Sequence, residues 1–406
     1  MTITKQPLLN IGMIGHIDHG KTTLLHQLSG KWTDTHSEEL KRGITIKLGY
    51  ADAIIRKCLK CDFYTREKKC PICSEDTKEL EYVSFVDVPG HEMLMATMLS
   101  GAAIIDAALL IIAANEHCPK PQTKEHLIAL EAKGLKNVII IQNKLDLVRK
   151  EQALKNYEEI KNFVKGTVAE NAPIIPVSAR QGVNMEFIFE EITKIPIPKR
   201  DEKSDPIFFV ARSFDVNKPG TSIENLSGGV LGGILKQGIL KIGDEIEIKP
   251  GMSIKKHDKT IYVPLTTKVM NIFSGKNKLD EAKPSGSLAL ESELDPLLTK
   301  SDKLVGCVVG LKGKLPDASY SLKLKTNLFK SMIGTEKETA VQPLKIGEPI
   351  LLSINTSISV GIIQKLKDSN IEMSLKIPLV ALKGSKVGLA RNLSGHWRLI
   401  GWGEVL

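Results

Sequence analysis

The chain has 406 residues, 42% of them hydrophobic and 25% charged, which excludes disordered and collagen-like classes and predicts about two to four domains. A net charge of +9 is compatible with a nucleic-acid partner without requiring one. The longest apolar stretch, Ala102 to Ala114, contains Asp106 and is too short to cross a bilayer, so no membrane association is expected.

Leu8 to Gly15 is apolar, ends in glycine and reads as a strand. Met1 to Asn10 is polar at both ends, and with the motif beginning at Gly15 this leaves no room for a secretory signal, so a cytoplasmic protein is expected. A helix is predicted over Lys21 to Leu28. Strands follow at Glu81 to Val88 and Ala107 to Ala114, then a helix at Pro121 to Lys133. Asn137 to Gln142 and Pro173 to Val177 read as strands, Glu151 to Ala169 and Asn184 to Lys194 as helices. This alternation predicts an α/β domain with a mainly parallel sheet, helices on both faces and ligands at the carboxyl ends of the strands.

Ile195 to Pro206, with its prolines and charge run, reads as a linker. Beyond it come short β-type runs punctuated by glycine, at 228–233, Leu240 to Ile248, Thr266 to Phe273 and Leu304 to Gly310. They predict two β-barrels, divided near Lys312 to Ala318. The expected domains are 1–200, with an insert at 56–76, then 201–318 and 319–406.

Gly15-His16-Ile17-Asp18-His19-Gly20-Lys21-Thr22 fits G-x-x-x-x-G-K-[ST], after a strand and opening a helix. Backbone amides from Asp18, His19, Gly20, Lys21, Thr22 and Thr23 can wrap phosphates at the positive helix end. Lys21 would reach the β and γ phosphates, and Thr22 would ligate Mg²⁺. Asp87-Val88-Pro89-Gly90-His91 ends the next strand. Asp87 can hold Mg²⁺ through water, Gly90 can sense a γ-phosphate, and His91 can orient the attacking water. Thr45, in Arg42-Gly43-Ile44-Thr45, can complete the Mg²⁺ shell only while the γ-phosphate is present. The catalytic candidates are therefore His91, Lys21, Thr45 and Gly90.

Asn143-Lys144-Leu145-Asp146 follows another strand. The Asp146 carboxylate can accept from guanine N1–H and the 2-amino group, a donor pair that adenine lacks. Asn143 can support the loop, the Lys144 stem can cover the ring, and Leu145 completes the motif. Ser178-Ala179-Arg180 can add a backbone N–H for guanine O6.

Cys58, Cys61, Cys70 and Cys73 form two C-x-x-C knuckles. In a reducing compartment four such thiolates favour a closed, structural Zn²⁺ site. The short spacing leaves an iron–sulfur site or an empty knuckle as alternatives.

These motifs, in this order, resemble the translational GTPases of the elongation factor Tu type. The segment Trp32 to Tyr50, the cysteine insert, Arg212 to Gly220 and Trp397 to Gly403 resemble the gamma subunits of archaeal and eukaryotic translation initiation factor 2. That resemblance implies a GTPase domain and two β-barrels at the core of a heterotrimer with alpha and beta subunits. It implies a GTP form that carries methionylated initiator tRNA to the small ribosomal subunit with its mRNA, and a GDP form that lets go. It also implies a hydrophobic gate of Ile17 and Ile44 around the catalytic histidine, and a second Mg²⁺ near Asp18 and Gly43.

Overall fold

The computed structural model describes residues 6–32, 49–88, 105–257, 259–329, 340–393 and 395–406. The chain forms two compact units, one holding Met1–Pro198 and the other Lys199–Ser331 with Ala340–Leu406.

Among the described residues of the first unit, seven strands form one sheet: β1 (Leu9–Gly15), β2 (Gly49–Lys57), β3 (Tyr64–Thr65), β4 (Lys78–Asp87), β5 (Ala107–Ala113), β6 (Asn137–Asn143) and β7 (Ile174–Pro176). Their spatial order is β3-β2-β4-β1-β5-β6-β7. Pairing is parallel from β4 through β1, β5 and β6 to β7, while β2 runs antiparallel to both β4 and β3. Every residue of β1 and β5 is buried, as expected of parallel strands covered on both faces.

The described helices of this unit are α1 (Lys21–Ser29), α2 (Pro121–Lys133), α3 (Lys150–Val164) and α4 (Met185–Thr193). On one face Leu9, Ile11 and Met13 of β1 pack with Leu24, Leu25 and Leu28 of α1 and Ile188, Phe189 and Ile192 of α4. After β1 the chain crosses to β2 and β3 at one edge of the sheet and comes back inward through β4, which pairs with β1. It then returns to β5 on the other side of β1, which places a topological switch point at the carboxyl end of β1.

Two readings of this half need correction. Strands β2 and β3 were not predicted. Helix α3 stops at Val164 instead of Ala169, because Lys165 turns extended and Gly166 adopts a left-handed φ of +76°.

The second unit is two closed barrels. In the first, Glu245–Lys256, Val308–Leu311, Ile207–Phe214, Val230–Gln237, Leu288–Ser292 and Lys259–Ser274 pair in that order, and the last pairs back on the first. Phe208, Leu231, Ile246, Ile272 and Leu290 are among the residues filling it. In the second barrel, strands Ser319–Leu328, Asn370–Leu379, Ser357–Lys367, Pro349–Ile354, Lys386–Leu393 and His396–Val405 close around Leu324, Ile350, Met373, Leu389 and Ile400.

Here too the predicted strands shift. The run at 228–233 becomes strand Val230–Gln237, and the run from Leu240 to Ile248 is cut at Gly243, with φ +95°. The run at Leu304 to Gly310 becomes Val308–Leu311, preceded by a short 3-10 turn at Lys300–Asp302. Strands Glu245–Lys256 and Lys259–Ser274 extend as a hairpin paired out to Lys256 and Lys259, longer than the predicted runs.

Candidate functional site

At the carboxyl end of β1 the chain turns into α1 through the loop Gly15 to Gly20. Gly15 has φ +142°, and a Cβ there would come within 2.3 Å of the Ile111 carbonyl oxygen of β5. Gly20 has φ +86°, and a Cβ there would come within 2.5 Å of Asn143 Nδ2. Both glycines of the motif are thus required by close approach as well as by backbone angle. Asp18, also left-handed at φ +60°, is exposed at the loop crest.

Lys21 is buried, and its ammonium donates to the Gly15 carbonyl at 3.1 Å and the His16 carbonyl at 2.8 Å. The lysine charge is thereby held at the centre of the loop. Thr22, in the first turn of α1 beside Thr23, donates from Oγ1 to Asp87 Oδ2 at 3.0 Å. Asp87 is fully buried at the end of β4. A hydroxyl and a carboxylate at this separation are the hard oxygen donors that Mg²⁺ takes, so the pair fits that ion.

The second loop follows β6. Lys144 takes a left-handed φ of +64°, which throws Leu145 and Asp146 into a 3-10 turn and leaves Asp146 exposed. Asn143 itself is buried. Its Nδ2 donates to the His19 carbonyl at 2.9 Å, and its Oδ1 accepts from the Ala179 N–H at 3.0 Å. Ser178 Oγ donates to Asp146 Oδ1 at 2.5 Å, fixing the carboxylate's orientation, and Arg180 beyond it is exposed. Three segments far apart in sequence therefore meet at one crevice: Asp18 to Thr23, Asn143 to Asp146 and Ser178 to Arg180. The Ala179 amide is engaged by Asn143.

The electrostatics of the loop are set by burial. The His19 imidazole is pushed down to about 4 by desolvation, with its Nδ1 facing the Ile111 carbonyl at 3.1 Å. Burial also lowers His16, and pushes His126 of α2 down to about 3. These rings are neutral at physiological pH, so Lys21 supplies the local positive charge.

His91, Gly90, Thr45, Gly43 and Ile44 lie outside the described residues. Sequence reasoning passed over Gln122 and His126, which sit four apart on α2 and contact the loop. Their i, i+4 spacing behind Pro121 was the available signal.

The cysteine insert projects beyond β2. Cys58, Cys61, Cys70 and Cys73 are free thiols whose sulfurs all lie within 4.8 Å of one another. Sulfur separations are 3.4 Å for Cys58–Cys73, 3.3 Å for Cys61–Cys70 and 3.7 Å for Cys61–Cys73. Tetrahedral Zn²⁺ with Zn–S bonds of about 2.3 Å would set its sulfurs about 3.8 Å apart, so the four thiols fit that ion with little rearrangement. The Cys61 and Lys60 amides push the Cys58 thiol down to about 6, while the hydrogen bond with Cys70 pushes Cys61 up to about 12, so the metal-free cluster favours thiolate at Cys58 and keeps the proton on Cys61.

Residues 6–198 match the family model of the elongation factor Tu GTP binding domain, and residues 320–405 that of the C-terminal region of initiation factor eIF2 gamma. The chain is 52% identical over 410 residues to translation initiation factor 2 subunit gamma of Methanococcus vannielii, with all of both chains covered. It is 55% identical over 403 residues to the same-named protein of Archaeoglobus fulgidus, covering 98% of this chain and 94% of that one. Among solved structures, a bacterial selenocysteine-specific elongation factor superposes with a TM-score of 0.75 at 25% identity, covering 99% of this chain and 58% of that one. The elongation factor SelB of Methanococcus maripaludis, solved with a GTP analogue, gives a TM-score of 0.73 at 22% identity, covering 100% and 80%.

Proposed function

The chain belongs to the family of translation initiation factor 2 gamma subunits, GTP hydrolases of the elongation factor Tu type, and from that premise we propose that its GTP form carries methionylated initiator tRNA to the small ribosomal subunit. On this reading the chain is the cytoplasmic core of a heterotrimer with alpha and beta subunits. The observation that carries the nucleotide half of the proposal is the Asn143 bridge, which ties the phosphate loop at His19 to the base-reading loop at Ala179.

Asp146, exposed and oriented by Ser178, would accept from guanine N1–H and the 2-amino group. Lys21 and the amides of Asp18 to Thr23 would hold the β and γ phosphates. Thr22 would ligate Mg²⁺ and Asp87 would hold it through water, with Thr45 joining when the γ-phosphate is present; the ion neutralises phosphate charge when bound. Asp18 and Gly43 are the proposed holders of a second Mg²⁺. His91 would orient the attacking water, and Ile17 and Ile44 would restrain it until the ribosomal complex repositions the ring. Gly90 and Thr45 would report γ-phosphate loss by releasing their segments. The four cysteines would hold Zn²⁺ as a structural clip.

Single-turnover hydrolysis with and without small ribosomal subunits tests the catalytic part. His91→Ala should keep GTP and tRNA binding while slowing hydrolysis about a hundredfold or more. Equal loss of binding would make His91 a structural residue.

A further inference from the structure

We propose that Gln122 and His126 of α2 are positioning residues that fix the first turn of the phosphate loop and thereby set the lifetime of bound guanine nucleotide. The inference rests on the nucleotide-binding reading above.

The Gly15 N–H donates to His126 Nδ1 at 2.9 Å in a fully buried contact, and the Ile17 N–H donates toward Gln122 Oε1 at 3.4 Å. The two acceptors are four residues apart, so one face of one helix engages alternate amides of the loop. For His126 to accept, Nδ1 must carry the lone pair and the proton must sit on Nε2. Burial, reinforced by the Lys21 charge, keeps the ring neutral, so this acceptor persists at physiological pH.

Gly15 is confined by β5 as well, because the Ile111 carbonyl leaves no room even for a Cβ. Gly15 therefore meets both a β5 carbonyl and an α2 imidazole. Its own carbonyl and that of His16 grip the Lys21 ammonium. A shift of Gly15 to Ile17 would move the lysine and the amides that follow. Gln122 and His126 would not touch the nucleotide; they act through the backbone that does.

The test is dissociation of a fluorescent GDP analogue from the full chain, beside urea unfolding of each variant. His126→Leu keeps the bulk and removes the acceptor, leaving a buried amide unsatisfied. We expect it to speed dissociation about fivefold or more. His126→Asn places Oδ1 where Nδ1 sits, and should bring the rate back to less than half of the leucine value. A merely structural role would track the unfolding midpoint and show no such rescue. Dissociation from His126→Leu below fivefold, or no rescue by His126→Asn, overturns the proposal. Should His126→Leu fail to fold, Gln122→Leu takes its place: it should speed dissociation at least about twofold, and a smaller effect overturns the proposal. Failure of the unmodified chain to bind the analogue would instead overturn the underlying nucleotide reading.

Discussion

Asn143 and His19, 124 residues apart, are joined by a 2.9 Å hydrogen bond from the Asn143 side-chain amide to the His19 carbonyl. The other end of the same amide accepts from Ala179. One buried side chain thus sets the distance between the loop expected to hold phosphate and the loops expected to hold the base. Gly20 has no side chain because Asn143 occupies the space where its Cβ would be.

Asn143→Ala should therefore weaken guanine-nucleotide binding without unfolding the domain. Two buried hydrogen bonds are lost and their partners left unsatisfied, so the dissociation constant should rise about tenfold to a thousandfold. Equilibrium titration with a fluorescent GDP analogue checks this, and an unchanged constant would show that the bridge is incidental.

Asp146→Asn should exchange an acceptor-only group for one that also donates. GTP affinity should fall and xanthosine nucleotides should be favoured, because their 2-oxo group can accept where guanine's amino group donates. Competition between GTP and XTP reads this out; retained preference for GTP would remove Asp146 from base reading.

Removal of metal from the cysteine insert should loosen it selectively. One zinc per chain is expected in protein purified under reducing conditions. Cys70→Ser should abolish zinc retention and expose the 56–76 segment to protease. Elemental analysis finding no zinc in the unmodified chain would refute the closed site.

The buried histidines predict a pH dependence. His126 is held at about 3 and His19 at about 4, against ordinary values of 6.5. Their folded-state pKa values are depressed, so the unfolded chain binds more protons at mildly acid pH. Their contribution is complete above pH 6.5 and is lost as pH falls from there toward 4 for His19 and toward 3 for His126. Urea midpoints should therefore drop between pH 6.5 and 5, and His126→Asn should flatten that drop. An identical slope in the variant would contradict the assignment.

Much of this was legible in the sequence because strong local signals carried it. The apolar strand Leu9–Gly15, the glycine spacing and the helix start at Lys21 place the phosphate loop unaided. Strand β2 escaped because its buried apolar positions, Ala51, Ala53 and Ile55, include two alanines, which give a weak alternation. The long hairpin at 252–263 escaped because most of it is exposed on both faces, so no apolar face marks its length. A supporting role for Asn143 is legible in its motif, but the two partners of its bridge are not. Its partners are a backbone carbonyl and a backbone amide, which leave no trace in residue identity. The same holds for His126, whose partner is the Gly15 amide.

The central claim is that the terminal phosphate of a bound purine nucleotide controls retention of initiator tRNA. Filter binding of methionylated initiator tRNA to the chain with its alpha subunit, in GTP and in GDP, tests it most directly. We predict at least about tenfold tighter binding with GTP, a coupling of about 1.4 kcal/mol or more. Equal retention with either nucleotide would contradict the account.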